Sequence, residues 1–458
     1  MSHAVNRNFL REMNAKRVYH PVAHPNELEA HPPHIIVKAD GVHIYDDAGR
    51  RVIDACGGLW NVNLGYSNQP VKEAIARQLD ELPYASSFKG TTNDRLIELS
   101  HTLTEMLQPE DMTRVFFTSG GSDSVETALR LARQYWKMEK QGERTKFLSL
   151  KRGYHGTHFG AASVNGNSTF RRAYEPLLPG CSHLPVPFDY RNVFNESDPA
   201  KLAELCLAAV EDEILFQGAD TIAAFIAEPV LGAGGVIVPP ADYWPKLRQL
   251  LDRHNILLIA DEVVTGFGRS GAWFGSRGWG VKPDIMCFAK AITSGYFPMG
   301  AVTLNARIET AFKNNADTMG IISHGYTYTG HPVGCAAALA CLAETTRLNL
   351  PANAATEGDY LLGRCRTLAE KHETIGNVRG KGLMFAMELV CDRAAKKPVG
   401  KAYVAELGDR LFEAGALVRL IGPLMVFSPP LVITRAQSDE IMAAVTTAFE
   451  GMRGDPRQ

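Results

Sequence analysis

What this 458-residue chain lacks narrows its function before any motif is read. It has no excess of charge of either sign, since 48 Lys and Arg stand against 50 Asp and Glu. Nothing in that balance would draw it to nucleic acid or to an anionic membrane. It has no Cys-x-x-Cys pair. Its eight cysteines are scattered, which argues against a zinc site or a disulfide framework and fits a reducing compartment. It has no long apolar run. The longest small-apolar stretch, Val333 to Ala343, is too short to cross a bilayer. The segment Met1 to Asn8 lacks the apolar core of a signal peptide. Internal repeats, low-complexity tracts and long charge runs are missing as well. A cytoplasmic protein is the expectation. What remains is an ordinary globular balance, 45% apolar and 21% charged, with length enough for a large core and more than one domain.

Along the chain, residues 1 to about 35 are polar and rich in His-Pro pairs, so they read as an arm rather than a core element. His31-Pro32-Pro33-His34 reads as a stiff, solvated segment. Short strand-like pieces follow around Ile35–Val37 and Val42–Tyr45. From about 65 to 335 strands and helices alternate. Helical periods cover 69–82, 94–107, 123–138 and 242–254. Apolar strand runs lie at Arg114–Thr118, Lys146–Leu150, Thr221–Ala227, Asn255–Asp261 and Pro283–Ala289. This alternation predicts an α/β fold with a doubly wound, mostly parallel central sheet. A helix at 332–347 leaves that unit. The remainder mixes helices (357–372, 401–414, 437–450) with strands (383–390, 416–420, 424–427) and predicts a smaller α+β domain. The division expected is 1–64 (arm and part of the small domain), 65–335 (large domain) and 336–458 (small domain).

Chemistry concentrates where those strands end. Asp261 closes one buried run and Lys290 follows the next. Open α/β sheets gather their ligands at the carboxyl ends of strands. An acid and an amine delivered there suit pyridoxal phosphate: the lysine forms a Schiff base and the acid keeps the pyridine nitrogen protonated. Ser119-Gly120-Gly121-Ser122-Asp123 sits where a strand gives way to a helix. Small residues there let backbone N–H groups approach a phosphate at the helix dipole's positive end, and Ser122 adds a hydroxyl. Tyr154 follows another strand and could lie flat on a planar cofactor. Glu228 ends a further apolar run and needs a partner there, either a cofactor oxygen to orient or an arginine to hold.

Two patterns are set aside. Gly266-Phe267-Gly268-Arg269-Ser270-Gly271 spells the dinucleotide pattern, but no helix follows it. The glycines make a turn, with Arg269 expected to pair with a nearby carboxylate. His155-Gly156-Thr157-His158 has metal-like spacing but no third ligand, so no metal site is expected.

Together these motifs resemble the class III (omega) aminotransferases of pyridoxal-phosphate fold type I. Ala260 to Gly271, Pro283-Asp284-Ile285, Ala289-Lys290, Tyr154-His155-Gly156, Glu228-Pro229 and His324 to Pro332 carry the resemblance over nearly the whole chain. It implies Lys290 as the Schiff-base lysine and Asp261 as the partner of the pyridinium nitrogen. It implies Val263 and Tyr154 on the two ring faces, and Gly121 and Ser122 on the phosphate. Thr327 would reach the phosphate from a partner subunit, which implies a homodimer with shared active sites. Arg419 resembles a mobile arginine that pairs with substrate carboxylate. Its other reading is a surface salt bridge, which the apolar setting Leu417 to Ile421 disfavours.

Within the class, Leu59 to Tyr66 is similar to the amine:pyruvate and beta-alanine:pyruvate group. Trp60 would then wall the substrate pocket; its other reading is a core aromatic. Two departures stand out: Ser-Gly-Gly-Ser-Asp where many relatives have Ser-Gly-Ser-Glu, and Ser87-Phe88 where some amine-selective relatives have two aromatics. The expected reaction moves an amino group from an amine or omega-amino acid to a keto acid, pyruvate first, by a ping-pong route through pyridoxamine phosphate. The alternatives are another fold-type I reaction (decarboxylation, racemisation, an aminomutase) or a taurine- or polyamine-specific transaminase. A regulatory module on this fold would need a DNA-binding domain for which the N-terminal arm is too short.

Overall fold

The computed structural model describes residues 7–316 and 319–458. Most of the Met1–Asn8 segment discussed above therefore lies outside it. The centre is a seven-stranded sheet whose strands, in chain order, are β1 (Met112–Thr118), β2 (Lys146–Leu150), β3 (Cys181–Leu184), β4 (Ile222–Ala227), β5 (Leu257–Asp261), β6 (Ile285–Phe288) and β7 (Gly300–Asn305). Their spatial order is β1-β7-β6-β5-β4-β2-β3. The pairs from β6 through β3 are all parallel. Only β7 runs the other way, antiparallel to both β6 and β1. The register sets Ala227 beside Ala260 and Asp261 beside Cys287. Parallel pairing therefore brings the carboxyl ends of β2, β4, β5 and β6 to one edge, and the double reversal through β7 brings the end of β1 there too.

The strands are continuous apolar runs because helices cover both faces. Every residue of β4, β5 and β6 is buried. One face packs on the helix Gly121–Met138 through Val125, Leu131 and Trp136. The other face is covered in two stretches. Helices Pro199–Gln217 and Tyr243–Arg253 contribute Val210, Trp244 and Leu247. Helices Asp94–Met106 and Pro332–Arg347 contribute Leu99, Leu103 and Cys335.

A second sheet, ordered Ile375–Lys381, Met384–Asp392, Leu424–Phe427, Arg419–Ile421, is antiparallel and stacks Phe385 on Phe427. A third unites the chain's two ends. Strands Ile36–Asp40, His43–Asp46 and Arg51–Asp54 form a meander, and Ala416–Leu417 joins it in parallel.

The differences from the sequence reading have physical reasons. The polar arm contains two helices, Arg7–Arg17 and Pro25–Ala30, and the first buries no residue. The 19-residue helix Pro199–Gln217 was not expected. Its buried stripe of Leu202, Cys206, Val210 and Ile214 is blurred by exposed Leu205, Leu215 and Phe216. Strand β3 was missed because Ser182 and His183 break its four-residue run, β7 because Gly300, Thr303 and Asn305 interrupt its apolar pattern, and Ile375–Lys381 because two glycines and two cations do the same. No helix among the described residues is long and apolar enough to cross a membrane.

Candidate active site

Lys290 stands two residues past the end of β6, where the chain turns sharply. Its own backbone is left-handed at φ +50°, and Ser294 repeats this at φ +49°. A non-glycine residue held there stores strain, which surrounding packing must maintain. Burial lowers the pKa of the Lys290 amine; Asp261 and Glu228 oppose that shift and Arg419 reinforces it. The buried amine is thus biased toward its neutral, nucleophilic form.

Asp261 ends β5 and is buried. Its Oδ2 lies 2.7 Å from His155 Nδ1, and its Oδ1 accepts the Val263 N–H at 3.1 Å. The next residue, Glu262, has a different task. Its two oxygens accept the hydroxyl of Thr265, the N–H groups of Gly275 and Ser276 and the hydroxyl of Ser276, at 2.6–2.8 Å. It staples the loop after β5, leaving Asp261 as the carboxylate that faces the cavity.

Glu228 follows β4. Its carboxylate accepts the Tyr154 N–H at 3.0 Å and the Gly232 N–H at 2.8 Å. Among the described residues it pairs with no arginine. Burial pushes its carboxyl up to about 7, with His155 opposing and Asp261 adding to the rise. The Tyr154 ring meets Phe170 edge-on at 4.8 Å, and burial raises its hydroxyl pKa.

The helix Gly121–Met138 opens on the same edge. Gly120 is its N-cap, and no side chain caps it, so its first N–H groups are free for an anion. The Ser124 hydroxyl donates to the Phe288 carbonyl at 2.9 Å, tying the helix start to the strand that carries Lys290. Gly156, at φ +127°, fits where a Cβ would come within 2.8 Å of Ser122 Cα. This lets Thr157 approach and donate its N–H to Ser122 Oγ at 3.1 Å.

These groups line two cavities that share Gly121, Val263 and Lys290. One, of about 120 Å³, also holds Ser122, Tyr154, His155, Glu228 and Asp261. The other, of about 270 Å³, is walled by Asn61, Thr293 and Phe297. A larger basic depression beside Arg130, Arg133 and Lys137 lies apart from them and holds neither acid nor amine of this set. The donor set fits pyridoxal phosphate: an uncapped helix start with hydroxyls for a phosphate, a buried carboxylate for a pyridinium, and a primary amine for an aldehyde.

Gly121, Ser122, Tyr154, Glu228, Asp261, Val263 and Lys290 are therefore brought together. Arg419, half-buried, lies near enough for its charge to act on Lys290 and Tyr154. Among the described residues its guanidinium makes no ion pair or hydrogen bond, unlike a surface salt bridge. Trp60 lines neither cavity. It is 4% exposed, packed among Val230, Val236, Met384, Ala386 and Val426. Its turn has positive φ at Gly57, Gly58 and Trp60, and Asp54 holds that turn by accepting the Cys56 and Gly58 N–H groups and the Tyr66 hydroxyl. Phe88 and Thr327 lie apart from Lys290 on the surface. Phe88 is exposed and packs on Gly325; Tyr84 donates its hydroxyl to the Thr327 carbonyl at 2.9 Å. Among the described residues Arg269 pairs with no carboxylate. It is fully buried and donates to the carbonyls of Leu383 and Pro429 and to Asn63 Oδ1, and burial lowers its pKa to about 9. Two backbone carbonyls and one amide side chain, from three segments distant in the chain, hold the buried guanidinium.

Sequence reasoning passed over His155 as part of a weak metal pattern. The available signal was Asp261 itself, since a buried carboxylate at a strand end requires a donor. Asn165 was also missed. It accepts the His155 N–H at 2.5 Å and donates to the Gly156 carbonyl at 2.8 Å, clamping that turn.

Comparison with known proteins agrees with this geometry. The aminotransferase class-III family matches residues 25–449. The chain is 37% identical over 424 residues to a putrescine–pyruvate aminotransferase of Pseudomonas aeruginosa, covering 92% of this chain and 91% of that one. Among solved structures, an amine transaminase from an uncultivated Pseudomonas species, in its PLP-bound form, is 49% identical. It superposes with a TM-score of 0.93 over 95% of this chain and 98% of its own. An (S)-enantioselective omega-transaminase from Thermomicrobium roseum is 38% identical, with a TM-score of 0.94 and coverage of 98% and 99%.

Proposed function

Because the chain belongs to the class-III aminotransferases and is a pyridoxal-phosphate-dependent transaminase of fold type I, we propose the roles of its residues and the direction of its transfer. The amino group passes from an amine or omega-amino acid to pyruvate. The observation that carries this reading is the convergence of the Lys290 amine, the Asp261 carboxylate and the uncapped helix start at Gly121 on one cavity. When bound, the cofactor supplies an electron sink and carries the amino group between the two half-reactions.

Lys290, kept toward its neutral form by burial, would hold the cofactor through its aldehyde. Its Nζ would be the base that moves the proton off the amine-bearing carbon of the donor. Asp261, oriented by His155 and the Val263 N–H, keeps the ring nitrogen protonated. Gly121 and Ser122 receive the phosphate. Val263 and Tyr154 hold the ring faces. Arg419, without an ionic partner among the described residues, pairs with the carboxylate of the keto acid and withdraws when the donor lacks one. Trp60 and Phe88 stay as candidate substrate-pocket residues, Trp60 by way of its turn and Phe88 by way of a partner subunit.

The same proposal includes a homodimer in which Thr327 of one subunit completes the phosphate site of the other. Exposed Tyr84, Phe88 and Tyr328 around Thr327 support it. It also includes a small unit formed by part of residues 1–64 with 336–458 beside a large unit of 65–335, supported by the pairing of Arg51–Asp54 with Ala416–Leu417. A reducing compartment, the cytoplasm, suits eight free cysteines.

The test is a half-reaction. The cofactor-loaded protein is mixed with amines, one at a time and without keto acid, while the cofactor's visible absorption band is followed. Lys290→Ala serves as the control. Bleaching by amines that lack a carboxylate, reversed by pyruvate, is the expected result. Bleaching only by amino acids would make Arg419 obligatory and move the assignment to an omega-amino-acid transaminase. Absence of bleaching with every donor would overturn the proposed roles.

A further inference from the structure

We propose that His158 is a positioning residue for the cofactor's phosphate. By pairing with Asp123 it cancels a negative charge in the first turn of the helix that receives that phosphate. The proposal rests on the reading of Gly121 and Ser122 as the phosphate cradle.

Asp123 is the third residue of the helix Gly121–Met138. An acidic residue there interacts well with the helix dipole, but it competes with a phosphate for the same positive end. Asp123 is also fixed in place. Its Oδ2 accepts the Ser119 N–H at 3.0 Å and so shapes the turn itself. Its Oδ1 lies 2.5 Å from His158 Nε2. The Asp123 side chain is 16% exposed, so solvent screens its charge only in part. Glu126, one turn further along, has its own cation, Arg130, at 3.6 Å, and accepts the Ala161 N–H. Among the described residues, His158 is the ionic partner of Asp123.

The loop that carries His158 cannot drift away from the helix. Thr157 donates its N–H to Ser122 Oγ at 3.1 Å, and its own hydroxyl lies 3.4 Å from the same atom. Gly156 presses against Ser122 so closely that no Cβ would fit. The imidazole is therefore delivered to Asp123 by the same segment that lines the cradle. Paired with the imidazole, Asp123 presents less negative charge to an incoming dianion. Without it, a fixed carboxylate would repel the phosphate a few ångströms away.

A role of this kind separates ligands by their phosphate. The dissociation constants of pyridoxal phosphate and of pyridoxal are measured on the cofactor-free full chain, for the unaltered protein, His158→Gln, Asp123→Asn and the double variant. His158→Gln is expected to weaken pyridoxal phosphate about tenfold, the scale of one partly screened charge, while pyridoxal stays within about twofold. Adding Asp123→Asn to His158→Gln should restore the affinity, because the charge to be cancelled is gone. Inorganic phosphate should also compete less well in His158→Gln. Equal losses for both ligands, no loss at all, or no rescue by Asp123→Asn would overturn the role. Ser122→Ala separates this from the underlying reading. If it weakens both ligands alike, the cradle assignment fails. If it selects against the phosphorylated ligand and His158→Gln does not, the role of His158 alone falls.

Discussion

Asp261 owes its orientation to two short contacts, one of them from a residue whose importance only the structure reveals. With His155 removed, one Asp261 oxygen loses a charge-assisted hydrogen bond in a buried setting. His155→Ala should lower kcat by about tenfold to a hundredfold, with a smaller change in KM. Steady-state kinetics with one amine and pyruvate would show this split; an equal rise in KM would point to a collapsed pocket instead. Glu228 offers a test through pH. Its folded carboxyl sits at about 7, against about 4.3 in an unfolded chain. Between those values the folded protein keeps a proton that the unfolded chain has released. Stability therefore falls as pH rises through that window, by a few kcal/mol in all, and levels off above it. In Glu228→Gln the thermal midpoint of the cofactor-free protein, measured from pH 4.5 to 8, should lose that slope. At this scale the sequence was informative wherever a residue's place follows from a strand end, as for Asp261, Lys290 and Glu228. It left Trp60 between two readings and gave Arg269 the wrong kind of partner. Trp60 is set by a turn held through Asp54 and Arg269 by carbonyls from distant segments, neither of which local pattern encodes.

The strands of the central sheet were legible because burial on both faces leaves unbroken apolar runs, and their ends marked the site. Strand β7 was not, although it fixes the geometry of the turn proposed to hold the phosphate. It enters beside Thr118 and Phe288, and Gly300 starts it for want of room. A Cβ there would come within 2.5 Å of Thr118 Oγ1, 2.6 Å of Ser124 Oγ and 2.8 Å of the Gly120 carbonyl. Gly300→Ala should cost about 1–3 kcal/mol of stability through overpacking. It should also weaken cofactor retention, because the displaced atoms belong to the phosphate turn. Thermal melting with and without added pyridoxal phosphate checks both parts; a shift that added cofactor fully erases would place the damage in the site alone. The helix Pro199–Gln217, by contrast, lies far along the sheet from the chemistry. Missing it left the functional reading intact.

For the molecule as a whole, the single chain leaves Tyr84, Phe88, Thr327 and Tyr328 on one exposed patch. If a second copy covers it, a buried charge at its centre should break the assembly. Phe88→Asp is expected to sediment as a monomer, to lose pyridoxal phosphate on dilution, and to keep its secondary structure by circular dichroism. A Phe88→Asp protein that remained dimeric would place the interface elsewhere. The chain's two ends meet as well. Ala416–Leu417 completes the sheet begun by Ile36–Asp40, His43–Asp46 and Arg51–Asp54. During synthesis those first strands emerge long before their partner. At about 5–20 residues per second, the wait is about twenty seconds to over a minute. Through that interval Arg51–Asp54 presents an open edge, and its apolar side chains have no cover. The nascent chain is thus most vulnerable to aggregation and most dependent on chaperones while its catalytic half is already folding. Circular permutation that places the Ala416–Leu417 segment ahead of Ile36 would shorten that exposure without altering a single side chain at the site.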